Sequence, residues 1–170
     1  MKKKDYWIIE MIILSFFITA ILTFLSDLVL NDLNIIFGIL IILLFISIGV
    51  LFDLIGIAIT TTEPKNFHAM AARKIGPAKT AIKLTKVSPR IASFCNDVVG
   101  DICNIISGAS GIAVAIALSP ILHINKTLLI LIISSIIAAI TIGGKAIGKT
   151  YAIKNSDKIT YFVAKVLRKR

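Results

Sequence analysis

Four long apolar runs dominate the pattern of hydrophobic and polar positions along the chain. They lie at residues 7–26, 35–59, 91–118 and 127–143. An α-helix needs about 17–25 apolar residues to cross a bilayer. We therefore predict an all-α membrane protein with about four transmembrane helices. The third run is long for one crossing and contains Gly100, Gly108 and Gly111, which lower helix propensity. An interfacial or re-entrant start is expected there.

A polar, basic segment separates the second and third runs. Pro64, which is typical of a first helical turn, follows three threonines that can cap a helix. Apolar residues then recur at helical spacing on both sides of a Gly76-Pro77 break, opposite basic residues. The two stripes are Phe67, Met70, Ala71 and Ile75, and Ala78, Ala81, Ile82 and Thr85. This pattern predicts a basic amphipathic helical hairpin (60–90) at the membrane interface. A solvated loop with helical propensity is the alternative.

The tail after Gly144 has the same character. Asn155, Ser156 or Asp157 can cap a helix, and basic residues follow at its carboxyl end. Its apolar side consists of Ile159, Phe162, Val163 and Val166. We predict a basic amphipathic juxtamembrane helix that binds anionic lipid. The predicted organisation has three parts. An amino-terminal transmembrane helix (1–32) is additional to a transmembrane core (33–147) that includes the hairpin, and the juxtamembrane helix (148–170) follows the core.

The net charge of +10 is distributed unevenly. Basic residues precede the first run, fill the hairpin and follow the fourth run, whereas the other two connections hold only Lys126. By the positive-inside rule, this predicts a multi-pass protein of the plasma (inner) membrane with both termini in the cytoplasm. Glu10 interrupts the first run and no cleavage site follows, so a retained helix is predicted rather than a signal peptide. No basic–aromatic platform is present, and nucleic acid is not expected as a partner.

Polar residues interrupt the third run. Asn96, Asp97, Asp101 and Asn104 stand where a membrane helix usually has Leu and Ile, and on an α-helix the last three share one face. A carboxylate near the bilayer centre costs roughly 2.5–3.5 kcal/mol, so such residues usually face a bundle interior or a pathway. Oxygen ligands suit a hard cation, but the spacing does not separate Mg²⁺ from Na⁺ or a proton. Alternatively, Asp97 lies at the interface beside Arg90 and snorkels or pairs with a lysine.

Asp53, inside the second run, is a candidate metal ligand from a facing helix. The alternative is an ion pair with an interfacial lysine. Cys95 and Cys103 lie about 12 Å apart along a helix, too far for a disulfide, and are expected to be packing residues. Small residues in the third and fourth runs suit bundle packing or a dimer interface equally. No catalytic or phosphate-binding motif is present, so no enzymatic activity is predicted.

The segment from Phe52 to Ile105 resembles the membrane domain of the CorB/CorC and cyclin-M (CNNM) magnesium transporters. In that family the first core span ends in a Phe-Ser-x-Ser-Glu-x-Ala-like motif, of which Phe52 and Ala58 remain. A basic hairpin follows in the family, and its counterparts here are Ala71, Ala78, Ala81, Lys83, Leu84 and Pro89. The family's Gly-Asn-x-x-x-Asn-like motif is matched loosely by residues 99–105, with Gly100 in place of the first Asn and Asn104 in place of the last.

The resemblance implies that the chain transports a divalent cation, with Mg²⁺ as the transported or bound ion, and that it forms a homodimer. The metal ligands would be Asp53, Asn96, Asp97, Asp101 and Asn104. The sequence departs from the family in three respects, the first of which is the additional amino-terminal span. Gly56 stands where the family has Glu, and the usual CBS pair has no counterpart in these 170 residues. The alternative is therefore a non-transporting membrane scaffold or accessory subunit with the same fold and a degenerate ion site.

Overall fold

A computed structural model describes residues 3–31 and 35–168, and these ranges are almost wholly helical and contain no strand. Lys2, Asp32, Lys169 and Arg170, which contribute to the charge pattern, lie outside the described residues. The helices are α1 (Lys3–Asn31), α2 (Ile35–Thr61), α3 (Pro64–Ala72), α4 (Ala78–Lys86), α5 (Ser88–Ala92), α6 (Gly100–Leu122), α7 (Lys126–Lys154) and α8 (Ser156–Arg168), with a π-helical segment (Ser93–Val99) between α5 and α6.

Four helical stretches are long and apolar enough to cross a membrane. They are Trp7–Phe24, Ile35–Thr61, Ser88–Leu122 and Lys126–Lys154. The prediction of an all-α membrane protein with about four spans is thus confirmed. The hairpin between spans two and three is present as α3 and α4, and the basic carboxyl-terminal helix as α8.

The third span does not break at its glycines. It runs as one helical stretch of 35 residues, and its irregularity is the π-helical segment, which precedes Gly100. Gly100 and Gly111 are both buried. Packing against neighbouring helices therefore offsets the propensity cost of about 1 kcal/mol per glycine.

The chain forms two compact units, each assembled from segments that are distant in sequence. The first unit comprises Met1–Gly49 and Gly100–Gly143. In it, α1 packs against α6, and the Ile137 side chain of α7 lies against Gly111 of α6. Ile106, Ser110 and Ala115 of α6 are completely or almost completely buried, so α6 is the central helix of this unit.

The second unit comprises Val50–Val99 and Gly144–Arg170, and α8 holds it together. Phe67 of α3, Ala81 of α4 and Ala164 of α8 form one buried cluster. The sequence places Phe67 and Ala81 on the two apolar stripes of a hairpin predicted at the membrane interface, and in the structure α8 covers both residues. The small side chains of Ala81 and Ala164 allow this close approach of α4 and α8.

Two side-chain hydrogen bonds accompany this packing. The Oγ1 atoms of Thr62 and Thr160 are 2.8 Å apart and buried. The Thr62 hydroxyl also lies 2.8 Å from the Ala58 carbonyl and donates its only proton there, so it accepts the bond from Thr160. At the start of α8, the Asn66 amide donates to the Asp157 carboxylate at 2.7 Å. These bonds fix α8 both along its axis and in rotation.

The two threonines are expected to differ in their contribution to stability. Thr62→Val leaves the buried Thr160 hydroxyl without its acceptor and should cost about 1–3 kcal/mol. Thr160→Val leaves the Thr62–Ala58 bond intact and should cost only about 0.5–1.5 kcal/mol. Apparent unfolding free energies of the detergent-purified variants measure the difference. The double variant should lose less than the sum of the two, and a larger cost for Thr160→Val would contradict the assigned donor direction.

Candidate functional site

The five residues predicted as metal ligands are divided between the two units. Asp53, Asn96 and Asp97 belong to the second unit, whereas Asp101 and Asn104 belong to the first. Among the described residues, no three His, Cys, Asp or Glu side chains come together in a group that could hold a metal ion. The surroundings of each residue are therefore described within its own unit.

Asn96 has the most unusual environment of the five. It lies in the π-helical segment, where i→i+5 bonding replaces the α-helical pattern and which is a frequent feature of functional sites. Its Oδ1 atom is buried and has no hydrogen-bond partner among the described residues. Such an oxygen is unusual, because about 90% of buried polar groups have a hydrogen-bond partner. The acceptor is available to a donor or a cation.

Gly56 of α2 makes room for this oxygen. A Cβ atom at position 56 would overlap the Asn96 Oδ1 and would lie 3.2 Å from the Cys95 Cβ. Gly56 is buried, and the Thr60 hydroxyl lies within hydrogen-bond distance of its carbonyl (3.1 Å) and of the Ile57 carbonyl (2.8 Å). The Asn96 amide therefore occupies the space into which a side chain at position 56 would project.

Asp53 lies one helical turn before Gly56 and is half-buried. Lys145 and Lys149 of α7 are near enough to interact electrostatically with its carboxylate. Their positions follow from the packing of α7 on α2, where Gly148 lies against Val50 and Leu54. The two lysines favour the charged form of Asp53, and they also oppose a cation at this carboxylate.

Asp97 and Asp101 are both exposed. The shared face predicted for Asp97, Asp101 and Asn104 assumes α-helical spacing, but Asp97 lies in the π-helical segment, where that spacing does not apply. Asp101 is in the first turn of α6. Within their respective units, the two carboxylates are surface groups.

Asn104 lines a cavity of about 300 Å³ between α6 and α7 in the first unit. Ser107 and Thr141 also line it, and their hydroxyls donate to the carbonyls of Asn104 (3.1 Å) and Ile137 (2.8 Å), respectively. Because each hydroxyl has one proton and two acceptor sites, oxygen lone pairs remain available there. The cavity can accept hydrogen bonds from water or from a hydrated cation.

Sequence reasoning missed three contributors to these sites. Lys145 and Lys149 are four residues apart and hence on one helix face, a spacing that could have marked them as partners of an intramembrane acid. Thr141 could not have been found in this way, since a threonine that bonds the carbonyl four residues earlier is common in membrane helices.

The contact between Gly56 and Asn96 can be tested by substituting each residue. Gly56→Ala should destabilise the protein by about 1–3 kcal/mol, because the new methyl group overlaps the Asn96 amide. Asn96→Ala removes that amide, so Gly56→Ala should cost distinctly less in its background. Apparent unfolding free energies in detergent complete this double-mutant cycle.

Gly108→Ala is the matched control, because a Cβ at that helical position meets no atom within 4 Å. Its expected effect is a gain of up to about 1 kcal/mol from helix propensity. If Gly56→Ala and Gly108→Ala changed the unfolding free energy equally, the contact between Gly56 and Asn96 would be refuted.

Comparison with known proteins found no family model, no curated protein and no solved structure that matches this chain.

Proposed function

We propose that this chain transports a divalent cation, Mg²⁺, across the membrane, and that Asn96 supplies an oxygen ligand on the route. The observation that carries the proposal is the buried, unpaired Oδ1 of Asn96 in a π-helical segment of a spanning helix. Inside a membrane span an unpaired polar atom costs several kcal/mol, and a cation would offset this cost. Carboxamide and carboxylate oxygens are hard ligands that Mg²⁺ accepts.

The packing against Gly56 relates this oxygen to the CorB/CorC and CNNM resemblance. That family has Glu where this chain has Gly56, and Glu is one of the residues that help to hold its cation. Here the space beside Gly56 holds the Asn96 amide. In our proposal, an oxygen from the third span thus substitutes for the ligand that the second span has lost.

The other predicted ligands have supporting roles in this proposal. Mg²⁺ gives up water reluctantly and usually keeps several water molecules in its octahedral shell. Asp53 contributes negative charge, moderated by Lys145 and Lys149. The cavity at Asn104, which is lined in part by side-chain oxygens, is of a size that accommodates a hydrated ion. Asp97 and Asp101, as exposed carboxylates, attract the cation by charge.

The proposal includes the orientation and assembly expected from the sequence. Both termini lie in the cytoplasm of a plasma membrane, as the basic residues around α3, α4 and α8 favour. Two copies form a homodimer, as the family resemblance implies.

Mg²⁺ flux into proteoliposomes, followed with an entrapped Mg²⁺-sensitive dye, tests the function. Asn96→Leu keeps the approximate volume of the side chain but removes its oxygen, and should reduce flux about ten- to a hundred-fold, as loss of a metal-site interaction commonly does. Asn96→Asp retains the oxygen and should preserve flux. A variant that carries both Asp53→Ala and Asp101→Ala should show no Mg²⁺ flux.

Glu63→Gln is the control, because Glu63 is an exposed residue that precedes α3 and lies outside the site. Its flux should equal that of the native chain. The transport proposal fails if the native chain moves no more Mg²⁺ than empty liposomes, or if Asn96→Leu and the double alanine variant both transport normally.

A second candidate function is a non-transporting membrane scaffold. The observation in its favour is the electrostatic interaction of Asp53 with Lys145 and Lys149, which would give this acid a structural role without a metal. Calorimetric titration of the detergent-purified protein with Mg²⁺ separates the two candidates. Saturable binding that Asn96→Leu weakens supports the transporter, whereas an absence of saturable binding supports the scaffold.

A further inference from the structure

We propose that the second unit contains a binding groove for one anionic phospholipid. The groove has a volume of about 800 Å³, near the upper end of the roughly 300–1,000 Å³ typical of small-molecule sites. It lies between the carboxyl-terminal half of α2, the start of the third span and α8. All of its lining residues belong to the second unit.

The lining is almost wholly apolar, and its few polar residues lie close together in the chain. Apolar side chains form most of the groove, among them Phe52, Phe94, Phe162 and Val166. The polar lining residues are Tyr151, Asn155 and Lys158, which are spaced about one helical turn apart around the junction of α7 and α8. A ligand that fits this arrangement has an apolar chain along α8 and a polar group at the junction.

The exposed fractions of the α8 side chains show that the hairpin leaves this side of the helix uncovered. Thr160 and Ala164 are fully buried against α3 and α4, whereas Phe162, Val166 and Leu167 are 65%, 54% and 52% exposed. Helix α8 thus has one apolar face that packs against protein and another that lines the groove. In a membrane protein, lipid chains are the abundant apolar partner for such a surface.

The charge at the polar end selects an anionic headgroup. Lys158 lines the groove, and Lys154 lies one turn earlier in the chain. The adjacent acid, Asp157, is not a lining residue of the groove, and its carboxylate accepts a hydrogen bond from Asn66 of α3. A basic residue at the membrane surface favours an anionic lipid by about five-fold.

Native mass spectrometry of the full chain in mild detergent tests this proposal. The probes are phosphatidylglycerol and phosphatidylcholine with identical acyl chains. The native chain should retain one phosphatidylglycerol molecule, with a preference of about five-fold over phosphatidylcholine. Lys158→Glu should remove this preference. Val166→Trp, which fills the groove from an exposed position, should reduce retention of both lipids.

Matched controls separate the groove from general lipid contact. Lys79→Glu reverses an exposed charge on α4, and Ile153→Trp adds the same ring at an exposed position on α7, both outside the groove. Both should bind lipid as the native chain does. Leu167→Trp, on the same exposed side of the groove, is a second blocking variant in case Val166→Trp does not purify as a folded protein.

Three outcomes would overturn the proposal. Equal retention of the two phospholipids by the native chain would indicate an apolar surface without headgroup recognition. Unchanged retention in a folded Val166→Trp or Leu167→Trp variant would place the lipid elsewhere. Displacement of phosphatidylglycerol by an equal concentration of palmitate would identify a fatty-acid site. Each result can be obtained whether or not the chain transports Mg²⁺, since the readout is lipid retention alone.

Discussion

The packing of α8 on the α3–α4 hairpin is the interaction on which the second unit depends. The buried cluster of Phe67, Ala81 and Ala164 supplies the apolar contact, and the Thr62–Thr160 hydrogen bond fixes its register. Thr62 is also bonded to Ala58 of α2, so the same pair of hydroxyls connects α8 to the end of a spanning helix. Without this contact, the apolar faces of α8 and the hairpin would both be uncovered and the groove would lose one wall. The groove, and the lipid site that we propose in it, therefore depend on the packing of α8 against the hairpin.

The membrane imposes a second constraint, which explains why the unpaired Asn96 oxygen is informative. In a bilayer, backbone groups are satisfied within helices, and polar side chains generally bond to the carbonyls of the preceding turn. Thr61, Ser135 and Thr141 follow this rule. The π-helical segment instead directs Asn96 toward Gly56, where no described group pairs with its Oδ1. The Oγ1 of Thr23 in α1 is likewise buried without a partner among the described residues. A bound cation is the explanation that we propose for Asn96.

Much of the architecture could be predicted from the sequence, because it depends on local pattern. The length and apolarity of 35–59 determine a spanning helix almost regardless of context, and Pro77 directly precedes α4 as expected. The end of α3 was not predicted, since this helix stops at Ala72 and the left-handed turn residue is Lys74 (φ 57°) rather than Gly76. The π-helical segment could not be predicted, since its residues have no distinctive composition. The partners of Asp53 and the contact between Gly56 and Asn96 depend on which helices are neighbours. For the same reason, the sequence predicts the apolar sides of α4 and α8 but not that these helices pack together.

The space beside Gly56 also bears on how related sequences can vary. A side chain at position 56 and an asparagine at position 96 in its present rotamer exclude each other sterically. Homologous chains should therefore fall into two groups, with either glycine at 56 and a carboxamide at 96, or a larger residue at 56 and a small one at 96. Intermediates that carry both larger residues would be overpacked, so the two positions should change together during evolution. Such covariation would be detectable in an alignment even where overall similarity between the chains is low.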